Sequence, residues 1–393
     1  MSDQLDPISQ AIRIQTKKSV QKEHSTPLYL TSSFTFDDAD TMRAAFADEN
    51  DENIYSRFSN PNVDEFISKM CALEGAEDGF ATSTGMSAIF SSFFALLSQG
   101  DHILCSTSIF GSTFTIVGKI LPRYGITCTL VPADDKDAWE AAVQPNTKMV
   151  YIETPTNPQV GIIDLEWMGQ FTKKHKLILN VDNCFASPVI QRPIDFGADL
   201  VIHSATKWID GQGRVLGGVI VGRADLIKDI FLFCRHTGPA LSPFNAWVLS
   251  KSLETLDVRM ERHSNNALKL AELLETNPNV SWVKYPFLPS HPQYEIAKKQ
   301  MKSGGGVLCF EVKGGSAAGA KFLNALQMIT VTANLGDTRS IAAHPASTTH
   351  SKLTEDERLA VGITPGLIRI SAGLEHIDDI INDVTRALKA SAV

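Results

Sequence analysis

The sequence has no long hydrophobic run; no stretch approaches the ~18 consecutive apolar residues of a membrane span. A block of Lys and Arg is also missing. With 36 basic against 44 acidic residues the formal net charge is −8. Nucleic acid and anionic membrane surfaces demand clustered positive charge, so neither is an expected partner. Cysteine is sparse: Cys71, Cys105, Cys128, Cys184, Cys234 and Cys309 form no C-x-x-C and no His/Cys cluster at metal-ligand spacing. Several sit in apolar runs such as HILCS and GVLCF, which predicts buried free thiols and no metal site. The first residues, MSDQLDPISQ, lack a signal-peptide core. The expected compartment is therefore the reducing cytoplasm. No internal repeat or low-complexity linker occurs.

What is present is an ordinary globular composition, 43% hydrophobic and 20% charged over 393 residues. That length supports two domains with substantial cores. Residues 1–61 contain polar and acidic runs (FDDADTMRAAFADENDEN) with little apolar periodicity, and are expected to form an arm laid on something else. Over 62–245 the pattern becomes an α/β alternation. Met86, Ile89, Phe90, Phe93, Phe94 and Leu97 recur at helical spacing after Ser83-Thr84-Gly85. HILCS (102–106), MVYIET (149–154), LILNVD (177–182) and DLVIHS (199–204) read as strands. Such runs predict a mostly parallel sheet covered on both faces, with its chemistry in the loops at the strands' carboxyl ends. One long helix is expected from about residue 245. It leads into a smaller α+β domain (246–393) containing GVLCFEV, LIRIS and a closing helix near HIDDIINDVTRALKA.

Three strand-end loops carry reactive side chains. Lys207 follows an apolar strand, with hydroxyls at Ser204 and Thr206. A lysine there is ordinarily a surface residue. Apolar surroundings, however, disfavour its charged form and make the amine a usable nucleophile, and the two hydroxyls can hold a phosphate beside it. Asp182 ends a strand 25 residues earlier, a separation that suits neighbouring strands joined by one helix. It could cap a turn, or pair with a protonated ring nitrogen of a bound cofactor. The turn Ser83-Thr84-Gly85-Met86 opens a helix and offers backbone N–H groups to an anion. Two patterns are set aside. Gly211-Gln212-Gly213 with Gly217 has the wrong final spacing for a dinucleotide fingerprint. Ser204-x-x-Lys207 resembles the serine β-lactamase nucleophile motif, but no S-D-N accompanies it.

Taken in order, YSRFSNP (55–61), STGMSAI (83–89), ETPTNP (153–158), VDNCFASP (181–188), HSATKW (203–208), HPASTTH (344–350) and LIRISAGLE (367–375) resemble the Cys/Met-metabolism family of fold-type I pyridoxal-5′-phosphate (PLP) enzymes, the cystathionine γ-synthase group. The resemblance spans nearly the whole chain. It implies PLP as cofactor, joined to Lys207 as a Schiff base, with Lys207 also shuttling protons. It implies that Asp182 pairs with the pyridine nitrogen, and that Gly85, Met86, Ser204 and Thr206 hold the phosphate. Tyr55 and Arg57 would reach a neighbouring subunit's phosphate, in a homotetramer built from dimers. Asn157 would contact the cofactor's phenolic oxygen. Arg369 would clamp the substrate carboxylate, with Ser340 nearby. The ring-stacking position, commonly Tyr in the family, is Phe110, and Ser112 stands where methionine γ-lyases carry Cys. Phenylalanine stacks but donates no proton to a leaving group, which fits departure of a weakly basic carboxylate from an acylated homoserine. The segments 206–222 and 335–350 most resemble the branch that replaces succinate with sulfide. O-acetylhomoserine sulfhydrylase, cystathionine γ-synthase and methionine γ-lyase chemistry remain open, as does a non-catalytic amino-acid-binding protein.

Overall fold

The computed structural model describes residues 5–348, 354–360 and 362–392. The last two residues of the HPASTTH segment, Thr349 and His350, lie outside them. The larger sheet has seven strands: β1 (Asp78–Thr82), β2 (His102–Ser106), β3 (Thr127–Val131), β4 (Thr147–Glu153), β5 (Ile178–Asp182), β6 (Leu200–His203) and β7 (Gly218–Gly222). Their order is β1-β7-β6-β5-β4-β2-β3. The β2–β3, β2–β4, β4–β5 and β5–β6 pairs are parallel, and β7 runs antiparallel to both its neighbours. The fold is thus α/β, as the alternating pattern implied.

Side chains of the central strands alternate between two cores. Val150 and Ile152 of β4 join the cluster containing Phe66, Met168 and Trp208, whereas Met149 and Tyr151 join the one containing Ile89 and Phe93. The Gly85–Leu96 and Ala224–Thr237 helices cover that second face. Because both faces are covered, these strands are apolar throughout rather than alternating with polar residues, which made them visible in the sequence.

A second sheet holds β8 (Val280–Lys284), β9 (Val307–Val312), β10 (Thr330–Val331), β11 (Ile341–Ala343) and β12 (Leu367–Ser371), in the order β10-β11-β12-β9-β8. It packs on the Leu256–Glu275, Gly315–Ala325 and Ile377–Ser391 helices through Leu270, Phe310, Phe322 and Val384.

Two expectations change. The long helix from residue 245 is two helices, Pro243–Leu253 and Leu256–Glu275. At the break the Ser252 carbonyl turns to accept from the Thr255 N–H and from the Arg259 guanidinium, at 3.2 and 3.0 Å. The link from β5 to β6 contains no α-helix, only the 3₁₀ turn Pro193–Phe196. Pro188 and Pro193 lie in that link, and proline lacks the N–H that a helix interior requires.

Candidate functional site

The parallel strands β4, β5 and β6 deliver Glu153, Asp182 and His203 at their carboxyl ends, with Ser204 following. Period-two alternation puts Tyr151, Glu153 and Asp182 on the face covered by the Gly85–Leu96 helix. Glu153 and Asp182 are register partners across β4–β5.

That helix starts in a capping box. Thr84 accepts the Ser87 N–H, and the Ser87 hydroxyl accepts the Thr84 N–H, both at 3.0 Å. The cap uses neither the Gly85 nor the Met86 N–H, so these first-turn donors remain for an anion, favoured by the helix dipole. Gly85 lies so close to β6 that a Cβ there would stand 2.6 Å from Ser204 Cβ. Helix start and Ser204 therefore form one cradle. Thr206 is turned the other way, its hydroxyl exchanging hydrogen bonds with the Gly217 N–H and carbonyl at 3.1 and 3.3 Å.

Lys207 is half-buried, and its backbone N–H bonds the Ser204 carbonyl at 3.1 Å in a turn rather than a helix. Burial lowers its pKa, and the Arg369 charge adds to that fall while Cys184 opposes it. The ammonium donates to Asn334 Oδ1 at 2.5 Å. Arg369, on β12, is buried, and burial pushes its pKa down to about 10. Its guanidinium donates to Asn157 Oδ1 and to the Asn334 carbonyl, both at 2.9 Å. Among the described residues no carboxylate lies within ion-pair distance of it. A buried guanidinium with only neutral partners is a receptor for an incoming carboxylate. Lys207, Asn334, Arg369 and Asn157 thus form one chain of contacts between the two sheets.

Asp182 accepts the Cys184 N–H at 2.9 Å and the Tyr151 hydroxyl at 3.4 Å. Burial raises its pKa, against the Cys184 N–H, the His203 charge and the Tyr151 hydroxyl. Phe110 is half-exposed and caps the Gly111–Thr115 helix, its N–H bound to Glu153 Oε1 at 2.9 Å. Tyr55 and Arg57 lie away from this centre. Arg57 donates to the Arg235 carbonyl and lies over the Phe58 ring at 4.8 Å. It stands beside the segment whose Pro239 carbonyl receives the Ser83 N–H. Ser340 is fully buried, its hydroxyl donating to Glu375 at 2.9 Å and accepting the Gly373 N–H at 2.8 Å. The place between Lys207 and Arg369 belongs to Asn334.

Asn334, Glu153 and Tyr151 did not figure among the sequence candidates. Glu153 opens the ETPTNP segment and Asn334 stands one residue before LGDTRS, so both lay beside readable motifs. The set fits PLP: a depressed lysine, a carboxylate at a strand end, a helix-start cradle closed by a hydroxyl, and an aromatic ring at the mouth. No group of three or more His, Cys, Asp or Glu among the described residues could hold a metal ion.

Known proteins resemble this chain over nearly its whole length. An O-succinylhomoserine sulfhydrylase of Pseudomonas aeruginosa is 46% identical over 380 residues, covering 97% of this chain and 94% of that protein. An L-methionine gamma-lyase of Porphyromonas gingivalis is 44% identical, covering 93% and 92%. The crystal structure of a putative O-acetylhomoserine (thiol)-lyase from Campylobacter jejuni, 34% identical, superposes with a TM-score of 0.94 over 98% of this chain and 100% of that one. It carries a pyridoxyl-lysine monophosphate. With the family model matching residues 9–389, the chain belongs to the Cys/Met metabolism PLP-dependent enzymes.

Proposed function

We propose that the protein is an O-succinylhomoserine sulfhydrylase: it exchanges the succinate of O-succinylhomoserine for sulfide, giving homocysteine and succinate. The observation that carries this reading is Phe110 at the mouth of the site, half-exposed and fixed by Glu153. A ring without a hydroxyl covers a cofactor but protonates nothing. Succinate is a weak base and leaves without an acid; a thiolate needs one.

Bound PLP supplies an electron sink for charge that builds on the amino acid's carbon skeleton. The chain's own groups do the rest. Arg369 holds the α-carboxylate by two parallel N–H bonds and thereby aims Cα at Lys207. The Lys207 amine, depressed by burial, takes the Cα proton and later returns one. Asp182 would hold the proton of the cofactor's ring nitrogen, and the Gly85 and Met86 N–H groups with Ser204 would hold its phosphate, joined by Thr206 once its hydroxyl turns from Gly217. Asn157 orients Arg369 at 2.9 Å and stands ready for the cofactor's phenolic oxygen. In the assembled homotetramer, residues 1–61 bring Tyr55 and Arg57 to the partner's phosphate.

A γ-elimination reading is favoured by the 44% identity to an L-methionine gamma-lyase. A substrate panel separates the two. O-succinyl- and O-acetylhomoserine are each offered with sulfide or cysteine, and methionine is offered alone. The expected result is the highest kcat/KM for O-succinylhomoserine with sulfide. Faster release of methanethiol from methionine, or of cystathionine from the cysteine arm, would replace this reading.

A further inference from the structure

Glu153 is a buried acid with no base. It is 6% exposed and ends β4 directly opposite Asp182. Its Oε1 accepts the Phe110 N–H at 2.9 Å and the Tyr151 hydroxyl at 3.1 Å. The same phenol lies 3.4 Å from Asp182 Oδ2. One phenolic proton therefore serves two carboxyl groups. Cys105 on β2, Cys184 after β5 and Thr113 complete its surroundings. His203 on β6 acts on Asp182 only through space, its ring being bound to Glu74 at 2.6 Å. Among the described residues no cation pairs with Glu153.

We propose that Glu153 is a positioning residue of the cofactor site, holding the ring-covering Phe110 by its backbone and, through Tyr151, the Asp182 carboxylate, while itself remaining neutral. The inference rests on the reading of Lys207 and Asp182 as PLP ligands and is independent of which acyl group leaves. Two facing carboxylates cannot share one donor without repulsion, so one of them keeps a proton. Burial raises both, and the Asp182 charge raises Glu153 further, outweighing the Phe110 N–H and the Tyr151 and Thr113 hydroxyls that pull it down. A cationic ring nitrogen against Asp182 selects Asp182 as the anion, so the proton stays on Glu153. The Thr113 hydroxyl, buried beside Glu153 with no hydrogen bond of its own, can accept from the neutral acid as well as donate to its anion and so does not expel the proton. The ring then meets one negative charge rather than two.

The test compares the wild-type holoenzyme with Glu153→Gln, which imitates the neutral acid, and Glu153→Ala, which removes the acceptor for Phe110. Three quantities are read: PLP retained after dialysis, the pH titration of the visible band, and thermal unfolding from pH 5 to 9. Glu153→Gln should keep PLP within about twofold, whereas Glu153→Ala should weaken it about tenfold and diminish the visible circular dichroism. A folded-state pKa raised above the unfolded one means that wild-type stability falls as pH rises between the two values. The melting temperature of Glu153→Gln should therefore gain on wild type by a few degrees from pH 5 to 8.5, and its band should lose an alkaline inflection that wild type shows. Loss of PLP from Glu153→Gln as severe as from Glu153→Ala would overturn the proposal, as would a wild-type titration and melting profile superimposable on those of Glu153→Gln. A wild-type protein without a visible band would remove the Lys207 reading instead, and the melting comparison would still decide the Glu153 proton.

Discussion

At Arg369 and Lys207 two cations converge on Asn334, a neutral side chain, and that neutrality shapes the chemistry. Asn334 Oδ1 accepts from Lys207 at 2.5 Å while its carbonyl accepts from Arg369 at 2.9 Å. Burial and the Arg369 charge together depress the amine. An aspartate in this position would supply the missing anion. Asn334→Asp should raise the pKa of the Lys207 amine and shift the acid limb of the kcat profile, which reports Lys207 once the substrate has freed it, upward by about 1–2 pH units. It should also raise KM about tenfold, since the new carboxylate competes with that of the substrate for Arg369. Asn334→Ala adds no charge and should leave the acid limb in place. A pH–rate profile of the two variants separates the effects, and an unmoved limb in Asn334→Asp would mean that Lys207 is not the titrating base.

Among the elements, the Gly85–Leu96 helix and β6 approach most tightly where the phosphate is to be held. Alanine ordinarily stabilises a helix relative to glycine by roughly 1 kcal/mol. Here a Cβ at Gly85 would meet Ser204 Cα at 2.8 Å, and backbone cannot swing aside as a flexible side chain would. Gly85→Ala should therefore lower the melting temperature and cost about 1–3 kcal/mol, with PLP affinity falling about 10–100-fold by equilibrium dialysis. This contact also shows what was legible beforehand. HILCS and LIRIS are β2 and β12 residue for residue, because fully buried strands write unbroken apolar runs. The edge strands β1 and β3, with exposed first residues, and the glycine-bounded β7 wrote no such run. Lys207, Asp182 and Arg369 stood in motifs. Of their partners, Asn157 stood in ETPTNP and Glu153 opened it, but what they touch was not written there: Tyr151 and Glu153 meet Asp182 only through the β4–β5 register, and Asn334 meets Lys207 and Arg369 only where the two sheets dock.

On the scale of the whole molecule, residues 5–60 are tied to the rest of the chain by the Pro7–Arg13 helix, whose Ala11 enters the core, and by separate hydrogen bonds. The Thr16 N–H bonds Glu65, the Tyr29 N–H bonds Asn62, and Trp247 donates to the Thr26 carbonyl. Between and beyond these ties Leu28, Leu30, Met42, Phe46 and Tyr55 stand exposed, Leu30 by 68%. Apolar side chains displayed in this number call for a covering surface, and a second copy of the chain supplies one in the proposed assembly. If Arg57 serves the partner's site, two inactive variants repair each other. Lys207→Ala subunits carry a sound arm but no amine; Arg57→Ala subunits carry the amine but no arm contact. In a mixed dimer the site with the intact Lys207 receives its Arg57 from the Lys207→Ala subunit and is complete. Random pairing of equal amounts should then restore about a quarter of the wild-type activity and visible absorbance. If Arg57 acts within its own subunit, every site in the mixture lacks one group and nothing is restored.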